Sequence, residues 1–155
     1  RVLRAMGLAP TVWHLNEGHP AFLGLERWHE FVRAGFDGDT AFELVASSTV
    51  FTTHTPVPAG HDVFEWDLVA AELGPYLDSI GLELRRLFDL GGNGDPHKLN
   101  MTALALRTSR FRNGVSRVHG GVAAAGSAYV WPDIPASENP IEHVTNGVHL
   151  QTFLA

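Results

Sequence analysis

The stretch from Ser47 to Asp62 constrains the fold of this chain most. Its first part, Ser47-Ser48-Thr49-Val50-Phe51-Thr52-Thr53, is β-branched and aromatic and predicts a buried strand. The run breaks at Pro56-Val57-Pro58-Ala59-Gly60, which predicts a turn, and His54 stands between threonines where strand meets turn. In open α/β sheets ligands bind beyond the carboxyl ends of the strands, so His54 is a candidate ligand contact. A histidine that only caps a strand end would look the same, and the surrounding sequence has to decide.

The chain on either side supplies an α/β frame. Thr11 to Leu15 predicts a short parallel strand, and Asn16-Glu17-Gly18-His19-Pro20 a polar turn. Pro20 suits the first turn of a helix, where its missing N–H costs nothing. From Ala21 to Ala34, Phe22, Leu25, Phe31 and Val32 alternate with charged Glu26, Arg27 and Glu30 at roughly helical spacing, ended by Gly35. A short helix from Thr40 to Val45 then leads into the His54 strand, giving a βαβ unit with a right-handed crossover expected.

Trp66 to Leu77 and Ile80 to Leu90 carry helix-spaced apolar residues interrupted by Gly74-Pro75 and Gly81, and predict a surface subdomain over the sheet edge. Gly91 to Pro96 is the strongest break and predicts a mobile loop. Asn100 can cap a helix from Met101 to Thr108. Arg110 to Val115 reads as a short segment turned by Asn113-Gly114, and Ser116 to Ala125 as a small-residue helix suited to close packing. After a proline-stiffened connection from Trp131 to Pro140, Ile141 to Thr145 predicts a last strand and Asn146-Gly147 a tight turn.

Three polar clusters thus fall at three strand ends: Asn16, Glu17 and His19; Thr53, His54 and Thr55; Thr145, Asn146 and His149. A doubly wound sheet brings such ends to one face. Asn offers donors and an acceptor, neutral His one of each, and Glu accepts, which suits recognition of neutral sugar hydroxyls. An unmatched buried polar partner costs about 1–3 kcal/mol, so such a wall discriminates.

Composition removes other classes. A net charge of −6, with 11 basic residues in no long run, argues against a nucleic-acid footprint. No apolar run approaches the roughly 18 residues of a membrane span. Without cysteine there is neither a disulfide frame nor a thiolate zinc site, which is compatible with a reducing cytoplasm. Nine histidines leave a His/Asp metal-dependent hydrolase chemically open through His14 and His19, or His54, His61 and Asp62, but no HExxH-type spacing supports it and no metal is expected. His29, His97, His119 and His143 read as surface or packing residues, and Trp13, Trp28, Trp66 and Trp131 as core. The chain opens at Arg1 and stops abruptly at Ala155, which suggests an internal fragment of a longer protein.

Four ordered blocks carry a specific resemblance: WHLNEGHPAF (Trp13 to Phe22), VFTTHTPVPAGHDVF (Val50 to Phe64), LNMTALALRTSRFRNGVSRVHG (Leu99 to Gly120) and HVTNGVHLQTFLA (His143 to Ala155). They resemble the α-glucan phosphorylases of the short bacterial type. The resemblance implies that residues 1–150 are part of the N-terminal Rossmann-like domain of a two-domain, GT-B type α/β enzyme. Residues 151–155 would begin the crossover to the C-terminal cofactor domain. It implies cleavage of α-1,4-glucan or maltodextrin by inorganic phosphate to give glucose 1-phosphate, with pyridoxal phosphate acting through its phosphate group. An allosteric, cytoplasmic homo-oligomer is the corresponding setting.

By the same resemblance, His54 and Asn146 hold the sugar whose bond is cleaved, near its 6-hydroxyl, and Glu17 and His19 line the acceptor-side pocket. From the strand-end clusters, Asn16 and Thr55 are further candidate substrate contacts, and the resemblance puts Phe153 beside the cofactor. Two departures stand out: Phe153 replaces the family's usual tryptophan, and Gly120 to Gly126 is smaller and less polar than usual. The single lysine, Lys98, does not match the cofactor motif, so the fragment alone is expected to be inactive. A glycogen-synthase-like nucleotide-sugar transferase shares the architecture, and a glucan-binding module would instead show a row of exposed aromatics. The wording of the four blocks favours the phosphorylase.

Overall fold

Alternating apolar and polar residues set the first strand, β1 (Trp13–Asn16), with Leu15 buried between exposed His14 and Asn16. The computed structural model describes every residue except Pro56, Pro58, Ala59 and Ala155, and Ala136 by its backbone alone. The expected turn after His54 falls largely outside the described residues. Ahead of β1, α1 (Val2–Ala5) is a single exposed turn.

After β1 a 3-10 turn spans His19–Phe22 with Pro20 at its start, as expected, and runs into α2 (Leu23–Arg33). Next comes α3 (Gly38–Ser47), longer than the sequence suggested because Asp37 caps its first turn through Asp39 N–H and Thr40 N–H. Arg27 is a correction to the polar face expected of α2. Its guanidinium is buried at 5% exposure and donates to Val45 O at 3.0 Å, Thr49 Oγ1 at 2.8 Å and Ser48 Oγ at 2.5 Å. Those bonds replace its lost hydration and pin α2 to the corner between α3 and the next strand.

That strand, β2 (Thr49–Thr53), pairs in parallel with β1 on one side and with β5 (Phe111–Gly114) on the other. The last strand, β6 (Glu142–His143), pairs in parallel with β5, so the sheet order is β1-β2-β5-β6. Two expectations change here. Asn113-Gly114 does not turn the chain but lies within β5, because both edges of the segment bond to neighbouring strands. The final strand is only two residues long, and Val144 to His149 continue without a tight turn at Asn146-Gly147.

Between β2 and β5 the chain builds a layer rather than a surface appendage. It comprises β3 (Val63–Glu65), α4 (Trp66–Ser79), α5 (Leu84–Gly91), β4 (Lys98–Asn100) and α6 (Met101–Arg107). The helix α4 runs through Gly74-Pro75 without interruption, and its end is set by Gly81, at φ 66°, instead. Leu77, Ile80, Leu87 and Phe88 are buried in the one core with Leu15 and Phe51. The antiparallel β3–β4 pair was not foreseen, and it places Lys98 at the start of a strand just past the Gly91 to Pro96 break. In α6 every residue from Met101 to Leu106 is buried, so it is a central helix, apolar except for Thr102.

The expected helix after Ser116 is α7 (Arg117–Gly126), capped by the Ser116 side chain. Its small residues let it press on the sheet. A Cβ added at Gly114 would lie 2.6 Å from His119 Nδ1 and 2.8 Å from the Gly120 backbone. The chain ends with α8 (Leu150–Phe153), one exposed turn. No helix among the described residues is long and apolar enough to cross a membrane.

Candidate functional site

The parallel register of β1 and β2, Trp13 with Thr49 through Asn16 with Thr52, delivers Asn16, Glu17 and His54 to one sheet edge. Glu17 N–H still bonds Thr52 O at 2.9 Å, so the ladder extends one residue past the strand. There the backbone turns sharply. Glu17 has φ 69°, the only positive φ at a non-glycine residue among those described. Gly18 follows against the start of α6, where a Cβ would approach Thr102 N and Oγ1 to 2.8 Å.

This turn swings the Glu17 carboxylate over the end of β2. Its Oε1 accepts from His54 N–H at 2.5 Å and from the Thr55 hydroxyl at 3.1 Å. Its Oε2 is buried and, among the described residues, has no hydrogen-bond partner. The His54 ring reaches back, with Nε2 at 2.8 Å from Asn16 Oδ1. Because an amide oxygen only accepts, Nε2 carries the proton, and in the neutral ring Nδ1 is left as an acceptor on an exposed side chain.

A second polar row crosses the sheet one step back. His14 Nε2 lies 2.7 Å from Thr52 Oγ1, and the Thr52 hydroxyl donates to Asn113 Oδ1 at 3.0 Å. Asn113 is the site-edge residue that sequence reasoning missed. An asparagine next to glycine signals a turn, and only its position in β5, opposite Thr52, shows otherwise.

The remaining expected residues are placed more loosely. His19 is exposed at the start of the 3-10 turn. Asn146 is exposed beyond β6, its N–H donating to Val115 O at 3.0 Å, and β5 separates it from the His54 strand. The first two polar clusters are therefore joined directly, and the third is held two strands away. Phe153 is 74% exposed on α8.

Thr55 has a second neighbourhood. With Thr53, His61, Asn93, Asn100, Thr102 and Tyr129 it faces a cavity of about 330 Å³, whose lining does not include His54 or Asn16. Burial pushes the Tyr129 phenol above its ordinary pKa, so it stays a neutral donor there. His61 is engaged through Nδ1 with Thr102 Oγ1 at 2.6 Å, and His14 with Thr52, which separates the histidines weighed as metal ligands. Among the described residues no group of three His, Cys, Asp or Glu could hold a metal ion.

The class that the fold defines is a parallel α/β sheet with neutral hydrogen-bonding side chains and one carboxylate at its carboxyl edge, the edge at which open α/β sheets bind ligands. The particular likeness is to the glycogen and maltodextrin phosphorylases. A maltodextrin phosphorylase of Thermococcus litoralis is 43% identical over 99% of this chain, which spans 18% of that relative. A glycogen phosphorylase of Mycobacterium tuberculosis is 46% identical over 94% of the chain, again 18% of the relative. One from Aquifex aeolicus is 30% identical over 99% of the chain and 22% of its own length. No protein-family model matches the sequence. The chain is thus a phosphorylase-like segment covering about a fifth of its relatives, and the transferase and metal-hydrolase alternatives are not favoured.

Proposed function

We propose that this segment forms part of one wall of the glucan site in an α-1,4-glucan phosphorylase, within the N-terminal half of a GT-B architecture. The observation that carries the reading is that nearly the whole chain aligns, at 43% and 46% identity, with about a fifth of proteins named maltodextrin and glycogen phosphorylase. The joined Asn16, Glu17, His54 and Thr55 cluster supports it, since all four sit where a sugar would meet the strand ends. The whole protein would cleave glucan or maltodextrin with inorganic phosphate and release glucose 1-phosphate.

In this reading His54 and Asn146 hold the 6-hydroxymethyl group of the sugar being transferred. The free acceptor on the His54 ring and the amide of Asn146 suit a hydroxyl, and neither has to act as nucleophile. The buried Oε2 of Glu17, without a partner among the described residues, is an acceptor waiting for a hydroxyl on the acceptor side, with His19 nearby in the chain.

Pyridoxal phosphate belongs to this reading through the family resemblance, and the residues of this segment do not fit it. Lys98 lies in the β3–β4 pair with its Nζ 3.9 Å from Glu65 and 3.8 Å from Asp95, so its surroundings are acidic and repel a phosphate. Phe153 offers only an aromatic face. The cofactor's lysine would come from elsewhere in the full protein, and an oligomeric, regulated, cytoplasmic enzyme is the setting that the resemblance brings with it.

The test is phosphate-dependent release of glucose 1-phosphate from a maltooligosaccharide by the full-length protein carrying this segment, with and without added pyridoxal phosphate. Cofactor-dependent release is expected. Transfer from a nucleotide-sugar, without phosphorolysis, would overturn the reading.

A further inference from the structure

His54 is held at ring and backbone by two consecutive residues, Asn16 at the end of β1 and Glu17 just beyond it. Asn16 Oδ1 holds Nε2 at 2.8 Å, and Glu17 Oε1 holds the His54 backbone N–H at 2.5 Å. The same Glu17 oxygen takes the Thr55 hydroxyl at 3.1 Å. Beyond Thr53 the β2 ladder has ended, so the His54 N–H has lost its strand partner and a side chain supplies one. Glu17 reaches it only because its backbone stands in the left-handed region, φ 69°, a conformation that costs a non-glycine residue free energy. A strained residue bonding two successive residues fixes where the imidazole sits before any ligand arrives.

We propose that Glu17 is a positioning residue for His54, acting through Oε1, in addition to any contact that Oε2 makes with an acceptor sugar. The role rests on the phosphorylase reading above for its consequence in turnover, but its geometric content is independent of that reading. An oxygen acceptor is what the role requires, and a negative charge is not. Glutamine can therefore replace the group, whereas alanine and glycine cannot.

The experiment compares Glu17→Ala, Glu17→Gly and Glu17→Gln in the full-length protein. Two quantities are read: kcat and KM for maltooligosaccharide phosphorolysis, and amide hydrogen exchange of peptides spanning β2 and His54. Glycine accepts φ 69° freely, so its variant removes the carboxylate without disturbing the backbone. Alanine and glycine should lower kcat about tenfold to a hundredfold, on top of any rise in KM from the lost Oε2 contact, and speed exchange at His54. Glutamine should recover most of both losses. Unchanged exchange at His54 in the alanine and glycine variants would overturn the proposal, as would a glutamine variant as impaired as alanine with its loss in KM. If the wild-type protein shows no phosphorolysis, the functional reading fails, and the exchange comparison still decides the positioning role.

Discussion

His54 Nε2 sits 2.8 Å from Asn16 Oδ1, so two residues 38 positions apart share one hydrogen bond at the edge of the sheet. The bond selects the ring's tautomer, with the proton on Nε2 and Nδ1 free to accept. Asn16→Ala should release that selection. Ring nitrogen-15 shifts would then move from a single Nε2–H pattern toward a tautomer mixture. A pattern identical to wild type would show that Asn16 does not set the tautomer.

In the full-length protein His54→Ala should lower turnover about a hundredfold, the usual scale for a polar contact that strengthens in the transition state. Bound pyridoxal phosphate should stay at the wild-type level, because this segment does not carry it. Loss of cofactor in step with activity would point to a structural defect instead. Asn146→Ala should narrow the preference for glucosyl over xylosyl donors, since xylose lacks the 6-hydroxymethyl group. An unchanged preference would remove Asn146 from that contact.

Sequence legibility followed the range of the signals. Local chemistry read well: Asn100 caps α6 as expected, the helix expected from Ser116 is present, and Gly35 ends α2. The Asn16, Glu17 and His54 edge was also legible, because strand polarity alone sends strand ends to one side. What failed depended on tertiary partners. Asn113-Gly114 carries a turn signature, yet pairing with β2 and β6 draws it into a strand. Arg27 is charged at a helical position, yet three acceptors, one carbonyl and two hydroxyls between α3 and β2, make its burial tolerable. The β3 and β4 strands are three residues each, too short to show a period of two.

The packing of α7 gives a pair of opposite glycine predictions. At Gly114 a methyl group would meet His119 Nδ1 at 2.6 Å and Gly120 backbone at 2.8 Å, where no flexible tip can move aside. Gly114→Ala should destabilise by about 1–3 kcal/mol through overpacking. At Gly121, within α7, an added Cβ has no neighbour within 4 Å. Gly121→Ala should therefore stabilise by about 0.5–1 kcal/mol through lower backbone entropy in the unfolded chain. Denaturant midpoints of the two variants should move in opposite directions, and equal shifts would contradict the close approach at Gly114.

Acid should undock α1 from α2 before it melts the core. Arg1 Nε and Nη2 donate to the two oxygens of Glu26 at 2.6 and 2.9 Å, and Arg4 makes the same fork on Glu30 at 3.0 Å. These bonds hold the carboxyls of Glu26 and Glu30 below the ordinary glutamate pKa, the arginine hydrogen bond being the largest cause in each. A carboxyl with a depressed folded pKa contributes its stability above the unfolded value, near 4.3. That contribution is lost as pH falls through the lower folded value. All four groups are solvent-accessible, so the contribution is small and weakens with salt. Carbon-13 shifts of the two side-chain carboxyls should titrate with midpoints below those of exposed glutamates. Tyr76, whose hydroxyl donates to Glu26 at 3.2 Å, is pushed up to about 12, chiefly by burial, and should ionise late in an ultraviolet titration. Glu26→Gln removes one fork and a negative charge beside the phenol, so it should bring the Tyr76 midpoint down. Glutamate midpoints at the ordinary value, with Tyr76 unmoved by Glu26→Gln, would mean that the two forks do not persist in solution.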